Sequence, residues 1–209
     1  MSAAVLGAIQ AGGRSTRFGS PKALARVGGE RIIDRAIRAV SAVTPELVLI
    51  ANDPALAAAV TLPSRADAWP ETGALGGIGT ALLWAAERGN DGILAVACDM
   101  PFLSPELMAA LVSRSLGADG ERPDVVIPES GSRRSVEPLC AWYSVRCLPA
   151  LRTALDRGDY RMIAFHEDVR VHRVSLADVR RYGDPERLFL NVNTPGEHER
   201  AEQLAESLP

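Results

Sequence analysis

The sequence predicts an α/β fold: a mainly parallel, twisted sheet flanked by helices on both faces, in three layers (α/β/α). Short, continuously apolar runs alternate with segments of helical period over the first half of the chain, the rhythm of a parallel sheet with crossover helices. The runs are apolar at nearly every position, as strands covered on both faces require. Several of them also end at Gly, Asn or Asp, residues that turn a chain out of a sheet edge.

Each element can be justified in turn. Residues 3–10 (AAVLGAIQ) form a first buried strand that stops at glycines. Across 30–43, Ile32, Ile33, Ala36, Ile37 and Val40 share one helical stripe, with Arg31, Asp34, Arg35 and Arg38 opposite. PELVLIAND is a second strand, closing on Asn52-Asp53-Pro54, and VTLPSRAD a third that its prolines weaken. Residues 73–79 (GALGGIG) read as a glycine-rich loop leading into a helix over about 78–88. GILAVACD (92–99) is the strongest buried strand. It stops at Asp99-Met100-Pro101, and Ser104-Pro105-Glu106 opens the next helix with a cap and a proline in its first turn.

Beyond residue 120 the rhythm changes. DVVIPE and EPLCAWYSV are strands separated by a polar, hairpin-like SGSRRSVE, and the role of Arg133 and Arg134 within it stays open between a phosphate contact and a solvated loop. CLPALRTALDRG and DYRMIAFHED read as helices, VRVHRVSL as a strand, and TPGEHERAEQLAESL as a closing helix capped by Thr194 and Pro195. No linker separates these parts, so residues 1–209 are read as one domain.

With 47% hydrophobic and 23% charged residues the composition is that of a globular protein, and a net charge of -3 argues against a general nucleic-acid binder. Cys98, Cys140 and Cys147 show no metal or redox spacing, which points to reduced thiols and a cytoplasmic protein. The apolar N-terminus lacks a basic flank and is too short to span a bilayer, so no membrane partner is expected.

The chemistry-bearing stretches are few. AIQAGGRSTRFGSPKAL places Gly12, Gly13, Arg14, Arg17 and Lys22 directly after the first strand, as a phosphate-cradling turn with added cations would; the other reading is a solvated turn. It matches neither the Walker loop nor the dinucleotide fingerprint. Asp99 stands at the carboxyl edge of the sheet, where a carboxylate can hold Mg²⁺ against a triphosphate or merely cap a turn. Asp67 is either a pocket residue or a loop carboxylate. In LFLNVNTP, a two-residue period puts Asn191 and Asn193 on one face of a short strand, able to read a heterocycle or to cap the closing helix. The histidines, His166, His172 and His198, have no ligand spacing.

Taken together and in order, QAGGRSTRFGSPKAL, AND, RADAWPETGALGGIGTAL, ACDMPFLS and LNVNTPGE resemble the motifs of the molybdenum cofactor guanylyltransferases (the MobA family), over residues 5–200. The resemblance implies a Rossmann-like nucleotide half, about 1–120, and a pterin-binding half, about 121–209. It implies transfer of GMP from Mg-GTP to the terminal phosphate of molybdopterin with release of pyrophosphate. Gln10, Ala11, Gly12, Gly13 and Lys22 would then hold the triphosphate, with Arg17 and Lys22 neutralising its charge. Asn52, Asp67, Gly76 and Gly77 would line the nucleoside pocket. Asp99 would be the Mg²⁺ ligand, and Asn191, Asn193 and Arg161 would face the pterin. Cofactor-insertion or molybdoenzyme chaperones would be onward partners. The sequence departs from the family pattern at Gln10, where an aliphatic residue is usual, at Pro21 and at Ile50. ACDMPF favours the guanylyl over the cytidylyl branch. A CTP-dependent relative, another phosphorylated acceptor and a nucleotide-binding regulatory module remain the alternatives.

Overall fold

A computed structural model of the chain describes residues 4–12, 22–117, 121–131 and 135–207. Its strands are β1 (Val5–Ala11), β2 (Arg26–Val27), β3 (Glu30–Arg31), β4 (Leu47–Ala51), β5 (Ser64–Arg65), β6 (Gly92–Ala97), β7 (Val125–Pro128), β8 (Cys140–Ser144) and β9 (Val171–Val174). The helices are α1 (Ile32–Ser41), α2 (Pro54–Ala58), α3 (Ala74–Glu87), α4 (Pro105–Arg114), α5 (Leu148–Asp156), α6 (Leu176–Val179), α7 (Pro185–Leu188) and α8 (Pro195–Glu206). A seven-stranded sheet runs in the order β5-β4-β1-β6-β8-β7-β9, parallel except for β8.

Alternation along buried strands builds the three layers. Val5, Ile9, Leu49, Leu94 and Val96 point to one face and pack with Ile33 and Val40 of α1 and Leu107 and Leu111 of α4. Their neighbours Leu6, Ala8, Val48, Ile93 and Ala95 point to the other, against Leu75, Ile78 and Leu82 of α3 and Leu151 and Leu155 of α5. Strands covered on both sides have no polar face to spare, which explains their unbroken apolar reading. A smaller third cluster joins Val27, Ile32, Val192 and Ala201, seating α8 on the β2–β3 ribbon.

The connections from β1 run outward through β4 to β5, while β6 returns to the other side of β1. The strand order therefore reverses between β1 and β6, and the crevice outside their carboxyl ends is where open α/β sheets take ligands.

Three elements differ from the sequence reading. The glycines of 73–79 are not a loop: α3 begins at Ala74 and contains Gly76, Gly77 and Gly79. Glycine inside a helix costs about 1 kcal/mol relative to alanine, and here close packing overrides it. A Cβ on Gly76 would collide with Thr72 Oγ1, and one on Gly77 would stand 2.7 Å from the terminal amide of Gln10. DYRMIAFHED is a series of i to i+3 turns ending in a 3-10 turn at His166–Asp168, not an α-helix. Those turns drive Phe165, fully buried, against Tyr143. LFLNVNTP is irregular rather than a strand, joined to the end of β6 by the bond from Val192 N–H to Asp99 O (3.0 Å).

Ser104 caps α4, and Thr194 caps α8 in a reciprocal box with Glu197. The three cysteines are free and buried, and no helix among the described residues is long and apolar enough to cross a membrane.

Candidate active site

The crevice between β1 and β6 is built around one amine. β6 ends at Ala97, and its continuation is held to β1 by the bond from Cys98 N–H to Gln10 O (2.9 Å). This places Asp99 just beyond the sheet edge. Lys22 opens a short 3-10 turn anchored by the buried Ala23, and its Nζ donates to Asp99 Oδ2 (2.6 Å) and to Asn193 Oδ1. Three motifs far apart in the chain thus meet in one contact. The Lys22 and Asp99 side chains retain only 17% and 13% of their exposure, so the pair is far less screened than a surface ion pair.

Beside this clamp lies a cavity of about 870 Å³, lined by Asp99, Asn191, Asn193, Glu137, Glu197 and Arg200 together with the apolar Leu139, Met162 and Phe189. Its size falls within the range of about 300–1,000 Å³ common for small-molecule sites. Asn191 and Asn193 both reach it although no strand carries them, because Val192 between them is fully buried and turns its neighbours outward.

A second, narrow slot opens at the carboxyl ends of β1 and β4, lined by Gln10, Ala11, Gly12, Asn52, Asp67 and Gly77. It adjoins the larger cavity at Ala74, which lines both. Its walls are tied together by hydrogen bonds. Asn52 Oδ1 accepts from Asp67 N–H (2.7 Å), and Asp67 Oδ1 accepts from Trp69 N–H (2.9 Å) and from the Thr80 hydroxyl (2.8 Å). Gln10 is buried, and with its amide oriented to satisfy both ends it donates to Ala74 O (3.2 Å) and accepts from Ile78 N–H (2.9 Å). The departure from an aliphatic residue at Gln10 therefore has a physical role: the amide straps the end of β1 to the first turn of α3. Gly77 is the residue that makes room for it. Gly76 packs against Thr72, Trp69 and Asp67 behind the slot. Ile50, another departure, is a buried core residue on the α3 face of β4.

Some expected residues are placed elsewhere. Arg161 is three-quarters exposed and clasps Asp159 (2.5 Å) rather than the asparagines; its neighbour Met162 lines the cavity instead. This clasp holds the Asp159 carboxyl down at about 2. Gly13, Arg17, Pro21, Arg133 and Arg134 lie outside the described residues.

Asp99 fits a magnesium ion that arrives with a nucleotide. Mg²⁺ takes one or two carboxylates and fills its remaining positions with phosphate oxygens and water. No group of three or more His, Cys, Asp or Glu gathers among the described residues. Cys98 next to it is no nucleophile, since burial pushes its thiol up to about 12.

Sequence reasoning passed over Thr80, Glu137 and Glu197. A lone hydroxyl within the apolar helix ALGGIGTALLWAAE was the signal for Thr80, and the Thr-x-x-Glu spacing of a capping box was the signal for Glu197. Nothing local marked Glu137.

The comparisons agree with this architecture. The family described as "MobA-like NTP transferase domain" matches residues 7–171. The chain is 36% identical over 201 residues to the "Probable molybdenum cofactor guanylyltransferase" of Pelotomaculum thermopropionicum, covering 96% of this chain and 93% of that protein. It is 35% identical to the molybdenum cofactor guanylyltransferase of Desulfosudis oleivorans, covering 95% of each. In fold it is similar to the molybdopterin-guanine dinucleotide biosynthesis protein A of Archaeoglobus fulgidus, with a TM-score of 0.78 at 24% identity, over 97% of this chain and 100% of that one. With the family's match extending over most of the chain, the protein belongs to the MobA-like nucleotidyltransferases.

Proposed function

We propose that the chain transfers GMP from GTP to the terminal phosphate of molybdopterin, releasing pyrophosphate, a reading supported by relatives named molybdenum cofactor guanylyltransferase. The observation that carries this reading is the Lys22 amine held between Asp99 and Asn193 where a narrow slot at the ends of β1 and β4 adjoins a broad cavity. A nucleotide half of about 1–120 and an acceptor half of about 121–209 then share a single clamp.

The guanosine lies across the mouth of the slot, against Ala11, Gly12 and Asn52, which leaves the triphosphate over the edge of β1 and β6. Lys22 exchanges its carboxylate for phosphate oxygens, keeping its charge paired throughout. Gly13 and Arg17, outside the described residues, are assigned to the cradle by the sequence motif. An ionised oxygen of the acceptor phosphate attacks the α-phosphorus. As that P–O bond forms, the bond from the α-phosphorus to its bridge oxygen breaks, and pyrophosphate leaves with the electron pair. The attacking oxygen carries no proton, so no general base is required, and positioning and charge neutralisation supply the rate. Asp99 would hold a Mg²⁺ ion, which when bound would take up part of the triphosphate charge. Asn191 and Asn193 face the pterin from the cavity wall, and Arg161 joins them if it exchanges Asp159 for the ligand. The free, buried thiols suit a cytoplasmic enzyme that passes its product to cofactor-insertion proteins.

The test is pyrophosphate release from purified protein with molybdopterin and Mg²⁺, comparing GTP, CTP and ATP. Release with GTP alone is expected. Release with CTP alone reassigns the base, and no release with any of the three overturns the acceptor assignment.

A further inference from the structure

We infer that Glu197 is a positioning residue for the Lys22 clamp, acting through the backbone of Asn193. The inference rests on the triphosphate role of Lys22 proposed above and is independent of the acceptor's identity.

The reach of Asn193 Oδ1 to Lys22 Nζ depends on where the Asn193 backbone is held, and that backbone belongs to an irregular segment outside the sheet. Two neighbouring amides fix it. Val192 N–H donates to Asp99 O (3.0 Å), and Asn193 N–H donates to Glu197 Oε2 (2.8 Å). In an ordinary capping box the glutamate returns to the N–H of the cap residue alone. Here the same Oε2 accepts from Thr194 N–H (2.9 Å), the cap residue, and from Asn193 N–H, one residue earlier. That extra bond ties the clamp asparagine to the first turn of α8.

The helix is in turn fastened to the chain that follows Lys22. Nε2 of His198 and Arg26 O lie 2.7 Å apart, Gly28 N–H donates to Glu202 Oε2 (2.9 Å), and Ala201 is buried in the cluster with Val27 and Val192. Donor and acceptor of the clamp thus stand on one frame, and Glu197 is the strut between that frame and Asn193. A displaced Asn193 leaves the flexible lysine side chain to sample more rotamers, which weakens its grip on phosphate.

The experiment is calorimetric binding of GTP in the presence of Mg²⁺, with CTP titrated in parallel, using the full chain and no acceptor. Asn193→Ala and Glu197→Ala are each expected to weaken binding about tenfold, the scale of one hydrogen bond to a charged group. The double variant is expected to lose no more than either alone. Glu197→Asp keeps the negative charge at the helix N-terminus but withdraws its oxygen, and is expected to bind as Glu197→Ala does. Glu197→Gln keeps an acceptor and restores affinity. Thr194→Ala removes the cap bond to Glu197 N–H (3.2 Å), and is expected to lower the melting temperature while holding affinity within about twofold.

Unchanged affinity in Glu197→Ala, an additive loss of about a hundredfold in the double variant, or an equal loss in Thr194→Ala overturns the inference. Wild-type binding without turnover refutes only the acceptor assignment and leaves this comparison intact. A wild-type chain that binds neither nucleotide overturns both.

Discussion

The slot and the cavity differ in what their polar groups do. Around the slot, Asn52, Asp67, Thr80 and Gln10 spend their hydrogen bonds on one another and on nearby backbone. Anchored on the buried Gln10 and Thr80, such a network holds a shape ready before any ligand arrives. Around the cavity, charge is concentrated instead. Asp99, Glu137 and Glu197 line it, Lys22 is engaged by Asp99, and Arg200 pairs with Glu186 (3.2 Å). An anionic ligand can enter only as these partners are exchanged. Shape is held fixed in the first region, and charge is concentrated in the second.

The sharpest way to break this contrast is to alter the clamp. Asp99→Asn is expected to lower turnover by a factor of about 10²–10³ while leaving GTP affinity within a few-fold, because it removes charge and keeps shape. Near-normal turnover at saturating Mg²⁺ would reject Asp99 as a metal ligand. Lys22→Ala, in contrast, is expected to lose both turnover and affinity.

The slot should respond in the opposite sense. Gly77→Ala places a methyl against Gln10 and is expected to destabilise the fold by about 1–3 kcal/mol and to raise the KM for GTP, with kcat little changed. Adding Gln10→Ala should recover part of that loss. If the double variant melts below either single one, Gln10 is not the obstacle.

A smaller effect is expected from His166, which lies outside both regions. Burial, and then the positive charge of Arg173, hold its imidazole down at about 4, against an ordinary value of 6.5. Its Nε2 is buried without a hydrogen-bond partner among the described residues. The unfolded chain takes up this proton near pH 6.5 and the folded chain only near 4, so the stability contributed is complete above 6.5 and lost as pH falls between the two. Melting temperatures from pH 7 to 4.5 should therefore fall more steeply for the wild type than for His166→Phe; parallel slopes would show that His166 does not titrate in that window.

Least is expected of Arg161→Ala: KM for the acceptor rises no more than a few-fold and GTP affinity stays unchanged. A large rise would extend the charged region to this exposed rim and restore Arg161 to the acceptor site.

Legibility followed locality. β1, β4 and β6 were readable because strands buried on both faces have to be apolar throughout, and α4 and α8 because Ser104 and Thr194 cap their own helices. DYRMIAFHED has a helical composition, yet the burial of Phe165 against Tyr143 prevailed over local preference. The glycines of α3 were misread as a loop because the groups that demand them, Gln10 and Thr72, come from a distant strand and from the turn before the helix. Asn191 and Asn193 were identified as a pair facing one way, but through a strand that does not exist.

By itself the sequence determined the layered α/β architecture, the strand ends at which ligands bind and the residue types available there, since hydrophobic period, caps and turn residues act over a few positions. Only the tertiary structure decided that Lys22, Asp99 and Asn193 converge, that the Gln10 amide straps β1 to α3, and that Glu197 accepts from the Asn193 amide. Such contacts join residues up to 171 positions apart. They are set by strand order and by the seat of α8 on β2 and β3, which no local pattern encodes.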